Sequence, residues 1–589
     1  MVTINKYLIR SFGGVNFGAD PTAIGDNEFE NIENFYPFAQ MLRRRNGITL
    51  VTGGGAWTQN VLSMFAYKEA VGTWTLLTFG ETGVGKLSGS SVADVPALSG
   101  AFTSATGRYS AKQYKNITYF CRKSNGSLFR TDGTAQGAAG IDAPTTAPVL
   151  AEGAAGDLGA GDYIGVVTFY NSATGAESNP SPLSNTITIG ASKKIDWTAI
   201  PTSTNPQVDQ RRCYRTLVGQ SGEYYHLVDI TDNTTVILTE EVLQDDMGNQ
   251  VSFDNGVPPS TCAHLAVWNE RVWPTDEVDL FFSEFGLPES FSEFSVIGVS
   301  PDDGAKINGL LAFGDLLLVG KTNAMYYIVG TDESDFALQT LSDRFGCVSQ
   351  QSMATAEGKA FWFGGQNFYK TDGNQVKAIG DIHVRTIVDG IDPAYYHLVN
   401  GAIDDTRSWY IVGIPADGAS TITMYLVYNY RDDSWTTFTW TATAPQIIGD
   451  FYDTNGQGIL YAGIGTGNIY TFNTGTTDIG VAIPAVALTK RFGIDTDDMV
   501  KFVRDAGVHA TSVDEDITVA VFGDGVSLNS MTINLGESQF PWTTFALSSR
   551  GKPATYLQLK FTYNGTRALD LKGYQMKVID LGRRGKKVT

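Results

Sequence analysis

Three segments of the sequence repeat one pattern: NITYFCRKSNGSLFRTDG (116–133), GKAFWFGGQNFYKTDG (358–373) and GILYAGIGTGNIYTFNTG (458–475). Each reads as an apolar strand, a bend rich in Gly or Asn, a second strand carrying Phe or Tyr, and a closing Thr-Asp-Gly or Asn-Thr-Gly turn. The closest pair is Phe129-Arg130-Thr131-Asp132-Gly133 against Tyr369-Lys370-Thr371-Asp372-Gly373. Repeats of short strands at a period of ~40 to 50 residues imply a β-propeller, because one such unit cannot bury its apolar faces alone. The stretches 263–286, 306–330 and 404–440 read as further blade pieces. In the last of these, Asp432-Asp433-Ser434-Trp435 reads as a hairpin turn whose tryptophan packs between blades. The sharper alternative for such tryptophans is sugar stacking.

The period is interrupted between the first two copies. The excess coincides with a segment of different character, 145–258, reached through the Ala/Gly/Pro-rich stretch GAAGIDAPTTAPVLAEGAAGDLGAG. Alternation through Tyr163, Val166, Thr168 and Tyr170, followed by KKIDWTAI, RRCYRTL, EYYHLVDI and TTVILTEE, resembles a fibronectin type III or immunoglobulin-like sandwich. Setting it aside leaves room for about three blades between the copies. The expected fold is therefore all-β. An N-terminal arm (1–50) precedes the first blades (51–144), the sandwich is inserted at 145–258, the remaining blades occupy 259–478, and a C-terminal β-region (479–589) completes a platform with the arm. DITVAVFGDG (516–525) and YLQLKFTYN (556–564) are the clearest platform strands. The blade count stays open among six, seven and eight.

Composition agrees with many short strands and tight turns: 65 glycines in 589 residues, 12% aromatic and only 18% charged. A net charge of −20 argues against a surface that grips phosphate, and so against adhesion to nucleic acid or anionic lipid. No run of 18 apolar residues occurs, and MVTINKYLIRSFGG lacks a signal-peptide apolar core, so a protein made in the cytosol without membrane insertion is expected. Cys121, Cys213, Cys262 and Cys347 stand singly and read as free thiols. The basic cluster Arg583, Arg584, Lys586 and Lys587 reads either as a solvated tail or as a contact with an acidic neighbouring subunit.

No constellation spells catalysis. Gly80 to Lys86 follows the phosphate-loop pattern, but Leu87 replaces the magnesium-binding hydroxyl and no helix signal follows, so a hairpin turn is expected. His226, His264, His383, His397 and His509 lack metal-ligand spacing. The doublets Asp245-Asp246, Asp302-Asp303, Asp404-Asp405, Asp432-Asp433 and Asp497-Asp498 sit in turn contexts, where Asp is favoured for local hydrogen bonds. Calcium binding and a glycosidase pair within a propeller remain the alternatives for them. No catalytic, cofactor-binding or metal-ligating residue is therefore assigned, and no enzyme activity is expected.

The opening GGVNFGADPTAIGDNEFENIENFYPFAQMLRRRNG resembles that of the tail nozzle proteins of short-tailed bacteriophages, also called tail tubular or packaged-DNA stabilisation proteins. The resemblance is carried by Gly14-Val15-Asn16, Asn34-Phe35-Tyr36-Pro37 and Arg45-Asn46-Gly47, the last standing where the family has Arg-Pro-Gly. It implies a virion tail protein made in the host bacterial cytoplasm. It further implies a homohexameric ring below the portal and adaptor, bearing fibre, spike or needle proteins, with double-stranded DNA passing through a central channel unbound. An acidic lumen would suit that passage. The alternative is a carbohydrate-binding or depolymerising propeller for host-receptor recognition.

Overall fold

The structure, a computed structural model, describes residues 4–51, 57–97, 107–452, 456–465, 467–493, 499–511, 514–536, 543–545, 549 and 552–583. Among the described residues, six separate four-stranded antiparallel sheets, together with the first four strands of a nine-stranded sheet, make seven blades. These are blade 1 (63–94), blade 2 (110–138), blade 3 (264–298), blade 4 (307–342), blade 5 (354–378), blade 6 (400–439) and blade 7 (447–472 with 48–50). The ring closes where the inner strand of blade 7, Ile447–Tyr452, meets that of blade 1, Ser63–Lys68. The three repeat copies are the middle hairpins of blades 2, 5 and 7.

The closing turns of the copies in blades 2 and 5 share one chemistry. In blade 2 the Thr131 hydroxyl donates to Ala135 O and accepts from Gly133 N, while Asp132 accepts from Thr134 N and Ala135 N. Thr371, Asp372 and Gly373 repeat these bonds in blade 5. Glycine sits at φ 79° and 98° in the two turns, where a β-carbon would be strained. The same turn recurs in a different hairpin of blade 3 as Thr275-Asp276-Glu277, with Glu277 at φ 86°. That copy is invisible to a search for Thr-Asp-Gly.

Blade 7 departs from the others because its fourth strand comes from the start of the sequence. Ile48–Leu50 pairs with Asn468–Phe472, so these residues belong to a blade and not to the arm. The Asn473-Thr474-Gly475 turn has no following strand of its own and instead receives Asn46 and Gly47. Asn46 N donates to Asn473 Oδ1 (3.1 Å), Thr474 N to Gly47 O, and Gly47 N to Gly475 O.

Aromatic packing joins the blades. Trp435 is buried against Tyr428 of its own blade and Phe368 of blade 5, and its indole N–H donates to Ile379 O. Trp268, Trp273, Trp362 and Trp409 are likewise buried.

The insertion is a sandwich with its own core around Trp197, Ile195, Val167, Cys213 and Tyr163. One sheet joins Val149–Leu158, Lys193–Thr198 and Leu238–Glu240; another joins Gly165–Tyr170, Gln210–Arg215 and Tyr225–Ile230. Two details differ from the sequence reading. Part of the presumed linker is the strand Val149–Leu158, its register irregular through the Gly/Ala run. Gly165–Tyr170 does not alternate in burial, because Tyr214, Tyr224 and Val251 cover Val166 on the face away from the main core.

The platform has two layers around the largest core. Blade 6 continues through Phe29–Glu33 into Ala485–Thr489, Leu557–Tyr563, Asp516–Gly523 and Val526–Asn534. Against it lies a sheet in which Ile4–Ile9, Met41–Arg44 and Met499–Thr511 all pair with Asp570–Arg583. Alternating burial along Asp516–Gly523 points Ile517, Val519 and Val521 into that core. Arg583 ends the last strand; Arg584, Lys586, Lys587 and the Asp497-Asp498 doublet lie outside the described residues.

Candidate functional site

The inner strands of the seven blades surround an axial channel, as the alternation of a propeller blade requires. Two cavities of about 520 and 360 Å³ meet there, both lined by Lys112, Asp450 and Tyr452. Lys112 sits on Ser110–Tyr114 of blade 2 and Asp450 on Ile447–Tyr452 of blade 7. The Lys112 ammonium makes no hydrogen bond or ion pair with any described residue. Burial lowers its pKa, and the attraction of Asp450 only partly opposes this. The Asp450 side chain is exposed to the water of the channel and stands among its walls. Desolvation by those walls, helped by the charges of Asp405 and Asp404 and opposed by a hydrogen bond from the Ile403 backbone and by Lys112, pushes its pKa up to about 7.

The smaller cavity adds Asp404, Asp405 and Arg407. Asp404, nearly buried, accepts from Thr406 Oγ1 (2.5 Å) and from Arg407 Nη1 (2.8 Å), whereas Asp405 is exposed. The larger cavity adds Trp74, whose ring centroid lies 4.5 Å from that of Tyr452. A half-exposed aromatic pair therefore stands beside a mixed set of one free ammonium and several carboxylates.

The sequence singled out Asp404-Asp405 only as one doublet among five, and it missed Lys112, Asp450, Trp74 and Tyr452. The one signal was a lysine inside a short strand, SAKQY, flanked by small and polar residues. The other doublets are elsewhere. Asp245-Asp246 and Asp302-Asp303 lie in single 3₁₀ turns, with Asp303 paired to Lys321 (2.5 Å). Asp432-Asp433 forms the hairpin turn between Met424–Asn429 and Ser434–Thr439. The Gly80–Lys86 segment is a hairpin turn in blade 1, closed by Gly80 N on Gly83 O. His264 is desolvated and pushed down to about 4. Among the described residues no group of three or more His, Cys, Asp or Glu side chains could hold a metal ion, and no helix is long and apolar enough to cross a membrane. All four cysteines are free and buried.

No protein-family model and no curated protein matches the chain. Among solved structures it is similar to the extracellular domains of a hybrid two-component and a one-component system of Bacteroides thetaiotaomicron. Identity is 11% and 13% and TM-score 0.26 and 0.28, over 75% and 91% of this chain. The chain spans 45% and 63% of the length of those two domains. It is also similar to apo AztD from Citrobacter koseri, at 9% identity and TM-score 0.30, over 79% of this chain and 100% of that one. The propeller assignment rests on the strand pairing described above.

Proposed function

We propose that the chain is a structural subunit of a virion tail, a nozzle protein that assembles as a homohexameric ring and takes part in retaining and conducting the genome. The observation that carries this reading is the joint built by the residues of the opening resemblance. Asn34, buried at φ 59°, donates to Thr439 Oγ1 and Pro484 O, and its side-chain oxygen accepts from Arg45. Arg45 donates to both oxygens of Asp478 (2.9 and 2.5 Å) and to Thr439 O. The residues resembling the nozzle family thus tie the platform to blades 6 and 7, which supports a tower of propeller and platform acting as one wall segment. On this reading the DNA conduit runs between subunits, since a 520 Å³ axial cavity inside one chain holds no duplex. The portal or adaptor ring and the fibre, spike or needle proteins are the expected partners, and no catalysis is required. Electron microscopy of the purified protein tests this: rings with a central channel are expected, and a monomer absent from phage particles would overturn it.

A second reading, a carbohydrate-binding or depolymerising propeller, is favoured by the convergence of Asp404, Asp405 and Asp450 beside Trp74 and Tyr452. Binding to a glycan array and degradation of capsular polysaccharide are its tests.

A further inference from the structure

We propose that the axial channel of the propeller is a binding site for a neutral hexopyranose, with Trp74 and Tyr452 as the stacking face, Asp405 and Asp450 as acceptors for sugar hydroxyls, and Lys112 as the donor. The inference rests on the carbohydrate reading and gives it a place. It is compatible with ring assembly, because the channel lies within one chain.

Chemical complementarity points to this class of ligand. Lys112 and Asp450 border both cavities, so one ligand spanning the junction reaches both. Lys112 has three donors, and neither it nor Asp405 makes a hydrogen bond to any described residue, although the charges of both are felt by Asp450. Trp74 and Tyr452 lie at the wall of the larger cavity, packed on one another at 4.5 Å with planes 35° apart and with Lys68 Nζ 5.6 Å from the Trp74 ring centroid, so the apolar area they offer is the part turned away from those contacts. Pyranose rings present that combination, one face of C–H groups and an edge of hydroxyls. Charge selects against anions: three carboxylates, Asp404, Asp405 and Asp450, stand against two cations, Lys112 and Arg407. A neutral ligand that both donates and accepts uses the free donor and acceptors without adding to the excess of negative charge.

Saturation-transfer NMR on the full chain with glucose, galactose, N-acetylglucosamine and their β-linked disaccharides tests the site. At least one sugar is expected to give a transfer signal and to quench tryptophan fluorescence. Affinity is expected to fall tenfold or more in Trp74→Ala and in Lys112→Met. Asp405→Asn, at an exposed position, serves as the third variant should either of the others melt early. Binding by none of these sugars overturns both the site and the carbohydrate reading. Binding that the folded variants retain overturns the site alone and leaves the carbohydrate reading standing.

Discussion

Arg45 is enclosed by Asn34, Thr439, Asp478 and the Trp440 ring, which lies 4.6 Å from its guanidinium carbon. Such a pair contributes little beyond an apolar substitute, but removing one partner strands the other charge in the interior. Arg45→Ala is accordingly expected to destabilise the chain by about 3–5 kcal/mol in denaturant unfolding. Asp478→Asn, which keeps an acceptor for the guanidinium, is expected to cost less. Gly47 is fixed by space: a β-carbon there would lie 1.8 Å from Thr477 O, so Gly47→Ala is expected to lower the melting temperature markedly. Asp450 provides a pH signature. Its folded pKa, about 7, lies above the usual 3.8. The charged form is thus disfavoured by folding, and stability present below pH 4 is lost as pH rises through 7. Asp450→Asn is expected to melt with the wild type at pH 4 and above it at pH 8; equal melting at both would remove the desolvation argument. None of this was legible residue by residue. Asn34, Arg45 and Gly47 were singled out by resemblance, but a sequence does not say which distant carbonyl or carboxylate a buried guanidinium meets. Lys112 and Asp450, far apart in the chain, are brought to one channel only by ring closure.

At the scale of elements, turn chemistry and strand alternation were readable and long-range pairing was not. The Thr-Asp-Gly turns, the blade 1 hairpin at Gly80 and the platform strands around 516–525 and 556–564 stand where local rules put them, because Asp and Gly satisfy turn backbones without tertiary help. The disguised turn at Thr275-Asp276-Glu277 escaped because Glu277 holds the left-handed conformation that glycine usually marks; it is anchored by Lys123 and Lys306 (3.0 Å) from the adjoining blades. The fourth strand of blade 7 escaped because its partner is more than 400 residues away in sequence. Ile48, buried in the core between blades 6 and 7, is the test of that closure. Ile48→Ala is expected to cost about 2–5 kcal/mol and to speed proteolysis within 447–472. Unchanged proteolysis there would mean the ring does not depend on this strand. The sandwich is a separable element, since a β-carbon on Gly140 at its entry would lie 2.5 Å from Pro258 at its exit. Excising 143–255 behind a short Gly-Ser linker is expected to leave cooperative melting intact, at a loss of about 1–3 kcal/mol from the Gln207 bond to Ala138 O and the cover over Ile141.

For the whole molecule, the all-β propeller with an inserted sandwich and a platform was legible, because repeat periodicity and composition report architecture directly. The number of blades was not, because the insertion and the borrowed strand break the count at both ends. The structure also bears on the net charge of −20. Part of the acidic excess lies inside the axial channel, where Asp404, Asp405 and Asp450 face Lys112, so it is not all available to line a conduit between subunits. The proposed nozzle function requires this chain to build a ring around such a conduit. Electron microscopy of the purified full-length chain, with mass photometry at matched concentration, tests it most directly. Sixfold rings with an open centre between propellers are expected, whereas a monodisperse monomer at all concentrations, missing from phage tails, would overturn the nozzle reading.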